Sequence, residues 1–219
     1  MSKVLIIGDT HFPFTCNGYL KFILDLSKDL KPDHVVHIGD VTDQYGTGQY
    51  DKSWKYQGAQ QEFKEASVWV QTLYQGFPKL KVCRGNHDMR PIRVQAAGNL
   101  VPPQRMENFN KVWGTPGWSW KDQHVIDGVV YTHHGKGSKY PGVELARHLG
   151  KSVVCGHNHT VAGINYAYVG GKLVFGMNVG CGVDEKTHAF DYSSMYKTPA
   201  MLFAGVVNDG VPSLIPFKP

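Results

Sequence analysis

Val4-Leu5-Ile6-Ile7-Gly8-Asp9-Thr10-His11 is an apolar, β-prone run that stops at a glycine and releases an aspartate and a histidine. The same pattern recurs four more times along the chain. Val35-Val36-His37-Ile38 leads into Gly39-Asp40-Val41-Thr42-Asp43, and Leu80-Lys81-Val82-Cys83 leads through Arg84 into Gly85-Asn86-His87-Asp88. Val129-Val130-Tyr131 precedes Thr132-His133-His134-Gly135, and Ser152-Val153-Val154-Cys155 precedes Gly156-His157-Asn158-His159. A strand ending in glycine or a small residue lets the backbone turn sharply, so each polar group emerges at the carboxyl edge of a sheet. Open α/β sheets place their ligands at that edge. Five strands delivering Asp, His and Asn to one rim can build a metal site that no single cluster could.

Between the runs the pattern alternates. Leu20, Phe22, Ile23, Leu26 and Leu30 predict a helix over Tyr19 to Leu30, stopped by Pro32. A polar loop from Gln44 to Gln57 precedes a second helix, roughly Ala59 to Gln75, with Phe63, Ala66, Val70 and Leu73 on one side. This strand–helix rhythm argues for a mostly parallel, buried sheet. Residues 90 to 125 are less regular, punctuated by Pro91, Pro102-Pro103 and Pro116, with Trp113, Trp118 and Trp120 close together. They read as an insertion over the rim, either lid or scaffold. A hairpin follows, Val161 to Val169 and Lys172 to Val179 around Gly170-Gly171, then strands at Ala200 to Val207 and Pro212 to Pro216.

With 219 residues and no linkers or repeats, the chain is expected to form a single domain, 1–219. Its net charge of +5 and pI of about 8.9 suit a polyanionic substrate, but no Lys/Arg block demands nucleic acid. Cys16, Cys83, Cys155 and Cys181 form no CxxC pair and read as free thiols of a reducing compartment. The apolar stretch after Met1-Ser2-Lys3 is too short for a secretory signal, and no segment has the length of a membrane span. A soluble, cytoplasmic protein with no membrane contact and no protein partner is expected.

The order D-x-H, G-D-x-x-D, G-N-H-D, H, G-H-x-H resembles the calcineurin-like metallophosphoesterase superfamily, over residues 9 to 159. The resemblance implies a four-layer α/β/β/α sandwich of two mixed β-sheets flanked by helices. It implies two divalent metal ions, one held by Asp9, His11, Asp40 and His159, the other by Asp40, Asn86, His157 and one of His133 and His134, with Asp40 shared. His133 is favoured because it stands where its strand runs out. Mixed carboxylate, imidazole and amide donors suit manganese first, with iron, zinc, nickel or cobalt as alternatives. A magnesium site would ask for fewer imidazoles.

By the same resemblance, His87 is the proton donor to the leaving alkoxide and Asp43 the carboxylate that pairs with it. Arg84 is the first candidate to clamp the phosphate, and Arg90 the second. The expected activity is hydrolysis of a phosphoester. A phosphodiester, with nucleic acid or a nucleotide as the substrate class, is favoured over a monoester or phosphoprotein. The protein-phosphatase branch carries an arginine where this chain has Gln44, and a glutamate where it has Asp88. A catalytically silent nucleic-acid-binding member is the reading from another class.

Taken singly, the donors have plainer readings: Asp9, Asp40 and Asp43 as turn or cap residues, Asn86 as a left-handed turn residue, His157 and His159 as satisfied core histidines. The five blocks together argue against five coincidences. His34, His37, His124, His148 and His188 have no partner motif and read as structural. Gly176 to Gly182 reads as strand and turn, not a phosphate loop. Tyr45, Tyr50, Trp54 and Tyr56 could stack on bases or simply pack.

Overall fold

Leu5 and Ile7 leave the first strand on one side, Val4 and Ile6 on the other, and that alternation sets the layers. In the computed structural model, which describes residues 1–48, 52, 56–97, 108–187 and 199–219, the strand is β1 (Lys3–Ile7). Leu5 and Ile7 pack with Leu20 and Ile23 of helix α1 (Tyr19–Leu30) and with Val70 and Leu73 of helix α2 (Ala59–Gly76). Val4 and Ile6 pack with Val129, Tyr131, Val154, Phe175 and Met177, which come from a second sheet.

The other strands, in chain order, are β2 (His34–His37), β3 (Lys81–Cys83), β4 (Ser119–Lys121), β5 (Gln123–Ile126), β6 (Val129–Thr132), β7 (Val153–Cys155), β8 (Gly163–Val169), β9 (Lys172–Asn178), β10 (Phe203–Asn208) and β11 (Val211–Pro216). Helices α3 (Arg90–Ala97), α4 (Phe109–Trp113) and α5 (Pro141–Leu149) fall between them. One sheet has the order β11-β10-β1-β2-β3-β4, the other β5-β6-β7-β9-β8. β1 to β4 are parallel, as are β6, β7 and β9. β10 runs antiparallel to β1 and β11 to β10, while β5 and β8 run antiparallel to β6 and β9. α5 closes the far side, Ala146 packing with Val130, Val153 and Cys155. The result is the four-layer sandwich of two mixed sheets that the motifs implied.

Helix α1 has the predicted bounds: Lys31 turns left-handed, donates its N–H to Ser27 O, and Pro32 follows. The β8–β9 turn is Gly170-Gly171, both at positive φ (56° and 77°), as a two-residue hairpin needs. The expectation of an insertion over the rim is corrected for the described part of 90–125. β4 carries that segment into the first sheet as an edge strand, so Trp113 and Trp118 are buried in the helix-facing core. Trp118 Nε1 donates to Phe77 O at 2.8 Å, and Trp120 stacks on Phe109. Pro102-Pro103, Tyr50, Trp54 and His188 lie outside the described residues. The four cysteines are free thiols, three of them buried. No helix among the described residues is long and apolar enough to cross a membrane.

Candidate metal centre

The carboxyl ends of β1, β2 and β3 in one sheet and of β6 and β7 in the other meet at a single rim. The two turns after β1 and β2 are zipped together: Thr10 N and His11 N both donate to Asp40 O (3.2 and 2.9 Å), and Phe12 N donates to Val41 O. His11, Asp40 and His157 take positive φ (47°, 49° and 68°). Such conformations are uncommon for residues with a Cβ and gather at functional sites. Two glycines of the motifs clear the space. A Cβ on Gly85 would stand 2.0 Å from Asp40 Oδ1, and one on Gly156 would stand 2.3 Å from Asp9 Oδ1.

Asp9, His11, Asp40 and His159, all buried, offer ligand atoms within 4.8 Å of one another. His159 Nε2 lies 3.2 Å from Asp9 Oδ2, and His11 Nε2 lies 3.4 Å from Asp40 Oδ2. Asp9 Oδ1 and His11 Nε2 are buried with no hydrogen-bond partner among the described residues. Buried polar atoms are normally satisfied, so orphans inside a nest of four donors fit a cation.

A second group adjoins the first through Asp40. His133 Nδ1 donates to Ile38 O at 3.2 Å, which leaves Nε2 facing Asn86 Oδ1 at 3.0 Å and Asp40 Oδ2 at 3.2 Å. A carbonyl or carboxylate on the far ring nitrogen is how metal-binding imidazoles are commonly oriented. His133, His134 and His157 also bring ring nitrogens within 4.8 Å of one another. Of the two adjacent histidines, His133 is buried and turned to Asp40, while His134 is exposed beside the His157 ring at 4.5 Å. The donors are carboxylate, imidazole and amide, a set that fits a pair of borderline divalent ions.

Residues 2–168 match the calcineurin-like phosphoesterase family. The chain belongs to that family. It is also similar to two phage proteins, the Gene 54 proteins of Mycobacterium phages L5 and D29. The identities are 28% over 180 residues (73% of this chain, 70% of the relative) and 29% over 211 residues (82% and 79%). Among solved structures, Yfce, a phosphoesterase from E. coli, shares the fold with a TM-score of 0.53 at 17% identity, covering 98% of this chain and 92% of its own. The calcineurin-like fold and the paired His/Asp groups support hydrolase activity.

Beside the donor groups, the calcineurin-like rim carries a hydrogen-bonded relay. Asp43 Oδ1 is 2.5 Å from His11 Nδ1 and 3.0 Å from His87 Nδ1, and Asp43 O is 2.8 Å from the same His87 nitrogen. Arg90 Nη1 donates to Asp43 O and Nη2 to His87 Nε2, both at 3.0 Å. Arg90 lines a cavity of about 430 Å³ with Asn86, His87 and His157, and with Asn158 and Thr160, which the motif reading had passed over. Arg84 is elsewhere: its Nε and Nη2 hold Asp122 Oδ1 at 2.9 and 2.8 Å. Of the two arginines the structure brings Arg90, the second candidate, to the site.

Opposed charges account for the electrostatics of this family site. Burial works against the Asp40 carboxylate, but His133, His87 and His11 more than offset it and hold it well below the usual range. Burial likewise opposes Asp9, which His133 and His159 keep low, and Asp43, which His11 and His87 keep low. Burial opposes charging of His11 and His133 too, yet their aspartates raise them to about 10 and about 9. Burial and the neighbouring imidazoles push His134 down to about 4 and also lower His157 and His159.

Two residues given no role by the motifs tie the turns together. Asp88 accepts from Thr42 N and Gly85 N (3.2 and 3.0 Å), and burial with Asp40 nearby raises it to about 7. His37 is buried directly behind the rim. His124 is a satisfied structural histidine, its Nε2 donating to Val82 O, and Tyr45 and Tyr56 pack edge to face while Tyr56 Oη donates to Glu62.

Proposed function

We propose that this chain is a metal-dependent phosphoesterase whose preferred substrate is a phosphodiester, with nucleic acid or a nucleotide as the substrate class. One observation carries the reading: Asp40 Oδ2 lies 3.4 Å from His11 Nε2 and 3.2 Å from His133 Nε2, between two donor groups. A shared ligand needs that placement. Asp9, His11, Asp40 and His159 would hold one ion, and Asp40, Asn86, His133 and His157 the other, with manganese favoured and His134 the alternative to His133. Bound there, two divalent ions would supply Lewis-acid charge to phosphoryl oxygens and lower the pKa of a bound water from 15.7 toward about 7.

The chain's own groups do the rest. Once Arg90 has left Nε2 and that nitrogen has taken a proton from solvent, His87 presents Nε2–H to the leaving oxygen, with its orientation fixed by Asp43 on Nδ1. Arg90, now on that Nε2, is drawn off by an incoming phosphate and clamps one of its oxygens. Support for a diester comes from the chain's net charge of +5 and from two departures from the protein-phosphatase pattern. Gln44 replaces one arginine of that branch, and Arg84, the arginine shared with it, is engaged by Asp122.

Metal analysis of the purified protein, then parallel rates with Mn²⁺ on diester, monoester, cyclic-nucleotide and single-stranded DNA substrates, tests the proposal. A diester preference is expected. A monoester or phosphopeptide preference would replace it with the phosphatase reading, and DNA binding without turnover would replace it with a silent nucleic-acid binder.

A further inference from the structure

His37, the last residue of β2, is fully buried, yet it belongs to none of the donor groups. Both ring nitrogens are engaged. Gly39 N lies 3.2 Å from Nδ1, and because a backbone amide can only donate, Nδ1 is the acceptor. The ring proton is therefore on Nε2, 3.1 Å from Thr10 Oγ1. Thr10 sends its own hydroxyl hydrogen to Val41 O at 2.9 Å, leaving an oxygen lone pair for the ring N–H. Each of the three bonds has one permitted direction, and the neutral ring satisfies all of them. Burial, which pushes His37 down to about 3, keeps that form in place at working pH.

The partners of this ring are informative. Thr10 stands between Asp9 and His11, and Gly39, at φ 111°, immediately precedes Asp40, itself held at φ 49°. A histidine that merely fills the core could satisfy its nitrogens on any nearby backbone. His37 satisfies both on the two turns that carry donors. We infer that His37 is a positioning residue for the metal centre, fixing the Gly39 amide and the Thr10 hydroxyl so that Asp40 and the Asp9–His11 turn face one another. This rests on the metal-centre reading proposed above.

Four variants separate the contacts. His37→Asn puts an amide oxygen near the place of Nδ1 and keeps the Gly39 contact; His37→Gln reaches Thr10 but gives up Gly39. Thr10→Val removes the hydroxyl at constant shape, and Thr10→Ser restores it. The readouts are Mn²⁺ affinity and stoichiometry by calorimetry, the exchange-coupled EPR signal of a manganese pair, and melting temperature in EDTA.

His37→Gln and Thr10→Val are expected to weaken metal binding about tenfold or more, the usual cost of losing a group that orients a ligand, and to lose the coupled signal. His37→Asn, which gives up the Thr10 contact, is expected to weaken binding likewise, and Thr10→Ser to retain both. If His37→Gln fails to fold, His37→Asn decides, because Thr10→Val also removes the bond to Val41 O. Equal metal binding in all four, with only the melting temperature changed, would make His37 a packing residue and overturn the inference. A wild-type protein that binds no ion pair would instead overturn the parent reading, and this one with it.

Discussion

Asp43 Oδ1 stands 2.5 Å from His11 Nδ1, so the carboxylate expected to serve the acid His87 also orients a candidate metal ligand. The two roles can be pulled apart. Asp43→Asn should lower metal affinity about tenfold to a hundredfold and slow turnover as well. His87→Ala should keep its metal and lose about 10²- to 10⁴-fold in rate, more with poor leaving groups than with nitrophenolate. Metal content and a leaving-group series check this. An equal loss across leaving groups would remove His87 from the acid role.

Asp40 Oδ2 faces a ring nitrogen of each donor group, His11 Nε2 and His133 Nε2. Asp40→Asn, supplied with Mn²⁺, should lose about 10²- to 10³-fold or more on bis(p-nitrophenyl) phosphate, the scale of losing a major electrostatic stabiliser. The bound-metal count should also drop. Undiminished hydrolysis would refute the bridging assignment.

Arg90 and Arg84 make a matched control. A hydrogen bond to a charged group is worth about 1.5–3 kcal/mol, so Arg90→Ala should raise KM roughly tenfold to a hundredfold. Arg84→Ala, which breaks only its exposed pairing with Asp122 among the contacts described above, should change KM little. The reverse result in steady-state kinetics would restore Arg84 as the clamp.

The difference between these arginines shows where sequence reading runs out. The five strand ends were legible because each is a local pattern, an apolar run closed by a sharp turn, and α1 was legible through its stripe and Pro32. Which sheet a strand joins was not, since β1 pairs with β10, far along the chain (Lys3 opposite Asn208). Arg84 borders the G-N-H-D block but is turned to Asp122, while Arg90, three residues past His87, is swung back by the first turn of α3. His37 was hidden inside an apolar run; nothing nearby announces a partner 27 residues earlier. Asp43 was assigned one histidine and meets two, because the contact to His11 exists only once the β1 and β2 turns are zipped.

His37 also gives a pH signature in metal-free protein. Its folded pKa is about 3 against an ordinary 6.5, so below 6.5 the unfolded chain takes a proton that the folded chain refuses. Stability from this group is whole above pH 6.5 and falls as pH drops toward 3, by up to about 1.4 kcal/mol per unit. His11 and His133, held up to about 10 and about 9, act oppositely, their contribution being lost as pH rises through those values. Urea melts in EDTA at pH 7 and pH 5 should show a shallower loss for His37→Asn than for wild type. Identical losses would contradict the buried neutral ring.

Gly85→Ala tests the clearance around the shared aspartate. Its Cβ would meet Asp40 Oδ1 at 2.0 Å and Asp40 N at 2.2 Å, so one of the two motifs must move. Overpacking of this kind costs about 1–3 kcal/mol, and metal affinity should fall with it. A thermal melt and a calorimetric titration read both, and wild-type values in each would show the rim to be more yielding than its geometry implies.

The donors come from both sheets, Asp9 from the start of the chain and His159 from 150 residues later. During synthesis the amino-terminal half leaves the ribosome first, so Asp9, His11 and Asp40 are made well before His133, His157 and His159 can join them. An ion held at the proposed centre would gain its full donor set only once both sheets are docked. It would then sit as a rivet through two finished plates, and pulling it out should loosen the sheets against each other before either one melts.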